Sequence, residues 1–122
     1  MSTPVVLVAD DDADILELLS VRLARAGYEV VTAHDGNEAL AAAEARPPDA
    51  AIIDVMMPGT DGHEVVRRLR ERPETATIPI IVLTAAAHDS VAEASAAAGA
   101  DAHVRKPFSP KELVARLEAL RT

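Results

Sequence analysis

Cysteine is absent from the 122 residues, so neither a disulfide framework nor a thiolate metal site can be built. Aromatic side chains are nearly missing: Tyr28 and Phe108 are the only two, too few for a base-stacking surface. No apolar run approaches the length of a membrane span, the longest being stretches such as 5–9 and 80–83. Nor does the start of the sequence pair a basic stretch with an apolar one, so a cytoplasmic protein with no membrane partner is expected. Positive charge is in the minority, with 12 Lys and Arg against 20 Asp and Glu and a net charge of −8. Phosphate backbones need a basic face, so direct nucleic-acid binding is not expected. Such acidity suits a protein that holds a cation, one that meets a basic partner, or one with a solvated acidic surface.

What is present is an alternation. The length, 122 residues, is that of one domain, read as 1–122. Short apolar runs lie at 5–9, 28–33, 50–54, 78–84 and 102–105, and several are continuous Val/Ile-rich stretches that suit strands buried on both faces. Between them run helical patterns. Ile15, Leu18, Leu19, Leu23 and Ala26 recur at helical spacing, and Gly27 supplies a stop. Asp35 with Glu38 reads as a capping box before 39–45, and Asp61 with Glu64 as another before 65–72, which Pro73 ends. Asp89 or Ser90 opens a further helix running to Gly99. Ser109-Pro110-Lys111-Glu112 caps the last, whose Leu113, Leu117 and Leu120 share a face. Five strands and five helices in strict alternation predict an α/β fold, a parallel sheet covered on both sides by right-handed crossovers.

That arrangement collects the unusual polar residues. Asp10 and Asp11 end the first strand, Asp54 the third, Thr84 the fourth and Lys106 the fifth. Strand carboxyl ends share one edge of a parallel sheet, the edge where such folds bind ligands. Three clustered carboxylates repel one another unless a cation sits among them. Oxygen-only ligands suit Mg²⁺, and a carboxylate beside that metal can attack a phosphoryl group to form an aspartyl phosphate. Taken singly, these residues have bland explanations. Asp12 and Asp14 read as helix capping and dipole compensation, Thr84 as a strand-end residue, and Lys106 as a surface lysine. His34, His63 and His88 show no metal spacing and read as surface residues.

The same residues resemble a known family. Val5-Val6-Leu7-Val8-Ala9-Asp10-Asp11-Asp12 resembles the acidic first-strand motif of response-regulator receiver domains of two-component signalling. Asp54-Val55-Met56-Met57-Pro58-Gly59-Thr60-Asp61-Gly62 resembles their phosphorylation-site loop. Leu83-Thr84-Ala85 and Arg105-Lys106-Pro107-Phe108 are similar to their Thr/Ser and Lys-Pro motifs, so the likeness covers the chain from Pro4 to Leu120. It implies a five-stranded, doubly wound, flavodoxin-like sheet of order 2-1-3-4-5. It also implies that Asp54 accepts a phosphoryl group from a sensor histidine kinase or a histidine phosphotransfer protein. Mg²⁺ would be held by Asp11 and Asp54, by Asp10 largely through water, and by the backbone carbonyl of Met56.

The resemblance further implies a switch. Thr84 would move toward the phosphoryl group, Lys106 would bond to it, and the Lys106–Pro107 peptide would be cis. The residue at position 103 would repack, changing the face of the fourth helix, fifth strand and fifth helix that a downstream effector reads. His103 stands where the family more often has Tyr or Phe, and is smaller and titratable. Ile15, Leu19 and Arg22 fall on the expected kinase-docking side. In the family the positions of Met56 and Ala86 flank the path of the hydrolytic water, and neither side chain can activate it, so the resemblance implies slow self-dephosphorylation and no true enzymatic turnover.

Receivers joined to winged-helix DNA-binding domains usually carry a basic residue on the fourth helix for dimer salt bridges, and residues 91–98 carry none, so the resemblance favours a stand-alone regulator or phosphorelay carrier. One alternative is a receiver excised from a DNA-binding transcription factor. Another is a Mg²⁺-dependent phosphohydrolase using Asp10 and Asp12, and a third is a degenerate receiver that only binds partners.

Overall fold

A computed structural model describes residues 3–85 and 89–121. In chain order the elements are β1 (Val5–Ala9), α1 (Ala13–Arg25), β2 (Glu29–Ala33), α2 (Gly36–Ala45) and β3 (Ala50–Asp54). There follow α3 (Gly62–Glu71), β4 (Ile80–Thr84), α4 (Asp89–Ala98), β5 (Ala102–Arg105) and α5 (Pro110–Arg121). The five strands form one parallel sheet in the order β2-β1-β3-β4-β5. The inner strands β1, β3 and β4 are buried along their whole length, while the edge strands β2 and β5 are partly exposed. This is why the inner three read as continuous apolar runs.

Two strand boundaries differ from the sequence reading. β2 begins one residue later, at Glu29. β4 begins at Ile80 rather than 78, because Pro79 has no N–H to pair; its carbonyl still accepts from Ala51 N at 3.0 Å.

Side chains alternate across the sheet and build two cores. Leu7, Ile53, Val82, Val65, Val66 and Leu69 pack under α2 and α3. Val6, Val8, Ile52, Ile81, Leu83, Leu16, Leu19, Leu23, Leu113 and Leu117 pack under α1 and α5. The stripe of α1 is therefore Leu16, Leu19 and Leu23, whereas Leu18 is 46% exposed and Ile15 half-buried. The sequence offered more apolar positions than the sheet can cover. Leu19 is fully buried, so it cannot belong to a docking surface, which corrects the expectation for that residue. On α5 the buried set is Leu113, Val114 and Leu117, and Leu120 is partly exposed.

The helix starts follow the sequence signals. Asp12 accepts from Asp14 N at 2.9 Å, Asp35 from Glu38 N at 2.7 Å, Asp61 from Glu64 N at 3.0 Å and Ser109 from Glu112 N at 3.3 Å. Gly27 leaves α1 with φ +99°, a conformation costly for any residue with a Cβ. At the far end of the sheet Arg70 is a polar clamp. It donates to the carbonyls of Gly99 (2.9 Å), Thr75 (3.2 Å), Ala76 (3.2 Å) and Ile78 (2.7 Å), and pairs with Asp101 at 2.9 Å. Asp101 in turn accepts from Ile80 N at 2.8 Å, tying the start of β5 to the start of β4.

Candidate functional site: an acidic pocket at the carboxyl edge of the sheet

The strand ends converge as expected. Asp10 follows β1 and is fully buried, Asp54 ends β3 and is 2% exposed, Thr84 ends β4 and is buried, and Asp11 is exposed beside them. Lys106, one residue beyond β5, reaches inward. Its Nζ lies 3.0 Å from Asp10 Oδ2 and donates to Asp54 Oδ2 at 3.2 Å. The backbone places the lysine, since Lys106 N donates to Thr84 O at 2.7 Å.

The two buried carboxylates are unequally satisfied. Asp10 Oδ1 accepts from Asp12 N at 2.9 Å, but its buried Oδ2 has no aligned hydrogen bond and lies 3.0 Å from the ammonium. Asp54 Oδ1 accepts from the backbone N–H of Met56 at 3.2 Å. Burial first, and the neighbouring charge of Asp10 second, push the Asp54 carboxyl up from 3.8 to about 6, against the opposing pull of Lys106 and the Met56 amide. Burial by itself would lower Lys106, yet its contacts with Asp10 and Asp54 outweigh this and hold the ammonium above its ordinary value.

Asp10, Asp11 and Asp54 each offer one oxygen, and these lie within 4.8 Å of one another. When all three are ionised, a single ammonium leaves two negative charges uncompensated in a largely buried cluster. A buried carboxylate oxygen without a hydrogen bond and a two-charge deficit fit a divalent cation bound through oxygens.

The remaining expected residues fall as follows. The Met56 side chain is 74% exposed, so only its backbone belongs to the pocket. His103 is exposed on the edge strand β5, outside the pocket, with its carbonyl accepting from Arg116 at 3.4 Å. The Lys106–Pro107 peptide is cis. Asp12 is exposed and occupied in capping α1, so it does not join Asp10, and the phosphohydrolase alternative lacks its second carboxylate. Ala86 and His88 lie outside the described residues.

Some contributors were not read from the sequence. The Met56 N–H is a backbone donor and leaves no side-chain signature. Gly62 is packed so closely that a Cβ there would sit 2.1 Å from the Asp54 carbonyl oxygen, and its N–H donates to Val55 O at 3.0 Å. Its signal was a glycine in the first turn of a helix, where glycine is costly unless space demands it. His63, read as a surface residue, is half-buried and bonded through Nε2 to Ser95 Oγ at 2.7 Å.

A doubly wound parallel sheet carrying this pocket at its carboxyl edge belongs to the ligand-binding α/β class whose sites form at strand ends. Residues 6–118 match the response regulator receiver domain, and the chain belongs to that family. It is 44% identical over 115 residues to the phosphate regulon transcriptional regulatory protein PhoB of Pseudomonas aeruginosa, covering 94% of this chain and 50% of that protein. The chain spans about half the length of the curated relatives it matches. A putative response regulator from Chloroflexus aurantiacus superposes with TM-score 0.91 at 42% identity, covering 98% of each chain. The receiver domain of the sensor histidine kinase PA1611 from Pseudomonas aeruginosa superposes with TM-score 0.88 at 29% identity, again over 98% of each chain, and holds a magnesium ion in its active-site cleft. Response regulators receive their phosphoryl group from histidine kinases, so this is a signalling domain of a two-component system.

Proposed function

We propose that Asp54 is the phosphoacceptor and that Mg²⁺ is bound by Asp10, Asp11, Asp54 and the backbone carbonyl of Met56. The observation that carries this reading is the placement of Asp54, buried at the end of β3 between the Lys106 ammonium and two further carboxylates. A carboxylate oxygen of Asp54 attacks phosphorus. The phosphorus–nitrogen bond to the donor imidazole breaks, and the ring leaves with that electron pair and takes up a proton. When bound, the metal neutralises charge on the phosphoryl oxygens and on the carboxylates. Lys106 exchanges its contact with Asp54 for one with the phosphoryl group, and Thr84 supplies a hydroxyl from the adjacent strand end.

The donor is the phosphohistidine of a sensor kinase or phosphotransfer protein. The output is a changed face of α4, β5 and α5, with His103 as its repacking residue, read by a downstream effector in the cytoplasm. The whole chain, 1–122, works as one receiver unit. Without a side chain at Met56 or Ala86 that activates water, the phosphorylated form is long-lived, and a lifetime of seconds would overturn that part. A stand-alone regulator or phosphorelay carrier fits the absence of a basic residue on α4. The transcriptional-regulator relatives favour a second reading, in which the unit works joined to a DNA-binding output.

Intact mass after incubation with acetyl phosphate and Mg²⁺ tests the chemistry. A single phosphoryl adduct on the parent, abolished in Asp54→Ala and by EDTA, is expected. A folded parent that gains no adduct would refute it in favour of a partner-binding receiver, and rapid donor turnover in Asp54→Ala would move the chemistry to Asp10.

A further inference from the structure

α4 packs on the rest of the protein with very small side chains. Among its described side chains, Ser95 and Ala98 are buried, and Val91 and Ala92 are half-buried. Such a face gains little from apolar burial, so directional contacts carry a large share of what fixes the helix in place. Among the described residues, two polar contacts join it to α3. At its carboxyl end Arg70 Nε donates to Gly99 O at 2.9 Å. At its middle the Ser95 hydroxyl, 1% exposed, meets His63 Nε2 at 2.7 Å. The hydroxyl can donate or accept, so it satisfies either neutral tautomer of the imidazole.

His63 is not an arbitrary anchor. It follows Gly62, whose missing Cβ lets the start of α3 rest against the Asp54 carbonyl, with Gly62 N bonded to Val55 O at 3.0 Å. A short path of close packing and hydrogen bonds therefore runs from the end of β3 through Gly62 and His63 to Ser95 on α4. We propose that His63, through its hydrogen bond to Ser95, is a positioning residue that couples the state of the Asp54 pocket to the position of α4. It touches no reacting atom. The bond exists in the unphosphorylated arrangement, where Lys106 is engaged with Asp10 and Asp54. It favours that arrangement, and it opposes any displacement of α4 when Asp54 is modified. By reciprocity, removing it lowers the cost of loading the pocket. The inference rests on the phosphoacceptor reading.

The test uses the full chain with Mg²⁺ and beryllofluoride as the phosphoryl stand-in. Ser95→Ala and His63→Leu cut the bond from opposite sides, and His63→Gln retains a donor and an acceptor near the Nε2 position. Loading affinity and the amide resonances of 91–98 are measured in each. Both cutting variants are expected to load roughly three- to tenfold more tightly, the equivalent of one neutral hydrogen bond. Before loading, their α4 amides are expected to lie displaced toward the loaded positions of the parent, and His63→Gln to return both readouts toward the parent. The double variant should show no more than either single one. A merely structural bridge would lower the thermal midpoint and leave loading affinity unmoved. Unchanged or weakened loading in both folded variants overturns the coupling while leaving the phosphoacceptor reading intact. A parent that takes up no beryllofluoride overturns both.

Discussion

Replacing Asp54 by Asn should make the metal-free protein more stable, although it destroys the proposed acceptor. The carboxyl is nearly completely buried and is pushed from 3.8 to about 6 by burial and by Asp10. At about 1.4 kcal/mol for each tenfold change in proton affinity, holding it ionised in the folded state costs as much as ~3 kcal/mol. Asn keeps the shape and carries no charge. The sign follows from the direction of the shift. Because the folded value lies above the unfolded one, the parent loses stability as pH rises from near 4 through about 6, then levels off. The variant does not titrate there, so its advantage should be near zero at low pH and roughly 1–3 kcal/mol at about pH 8, a rise of some 3–10 °C in midpoint. Urea and thermal unfolding in EDTA across that range measure it. Adding Mg²⁺ should narrow the gap, since the parent gains ligand stabilisation and the variant has lost a ligand oxygen. A variant no more stable than the parent at about pH 8, or one whose advantage is the same at every pH, would refute the reasoning.

Other outcomes follow from the same geometry. Mg²⁺ affinity, followed by calorimetry, should be flat above about pH 7 and fall up to tenfold per pH unit below about 6, as metal and proton compete for Asp54. Lys106→Met leaves two buried carboxylates facing each other without a cation, and should cost roughly 3–5 kcal/mol in EDTA at about pH 8, partly recovered with Mg²⁺. Gly62→Ala drives a Cβ against the Asp54 carbonyl and should cost roughly 1–3 kcal/mol by urea unfolding while slowing phosphorylation from acetyl phosphate. Leu19→Ala should lose roughly 2–5 kcal/mol and Leu18→Ala under about 1, a contrast that checks which of the two neighbours is core.

Much of this was legible in the sequence because the signals were local. The inner strands are apolar throughout, the caps at Asp35, Asp61 and Ser109 are local side-chain-to-backbone bonds, and the pocket residues stand at strand ends whatever the loops do. What was not legible depends on three dimensions. The α1 stripe was misjudged because Ile15 and Leu18 are as apolar as Leu16, and only docking on the sheet decides which row is covered. The Met56 amide carries no residue signature. The partnership of His63 with Ser95 joins two helices 32 positions apart, and no spacing rule links them.

The pocket draws on parts of unequal permanence. Asp10 and Asp54 hang from fully buried inner strands of the sheet, the kind of element that opens last. Lys106 hangs from the partly exposed edge strand β5, which pairs with β4 on one side only and is tied at its far end by the Arg70–Asp101 clamp. Hydrogen exchange is therefore expected to protect the amides of β1 and β3 more strongly than those of β5, separating the acidic half of the site from the cationic half.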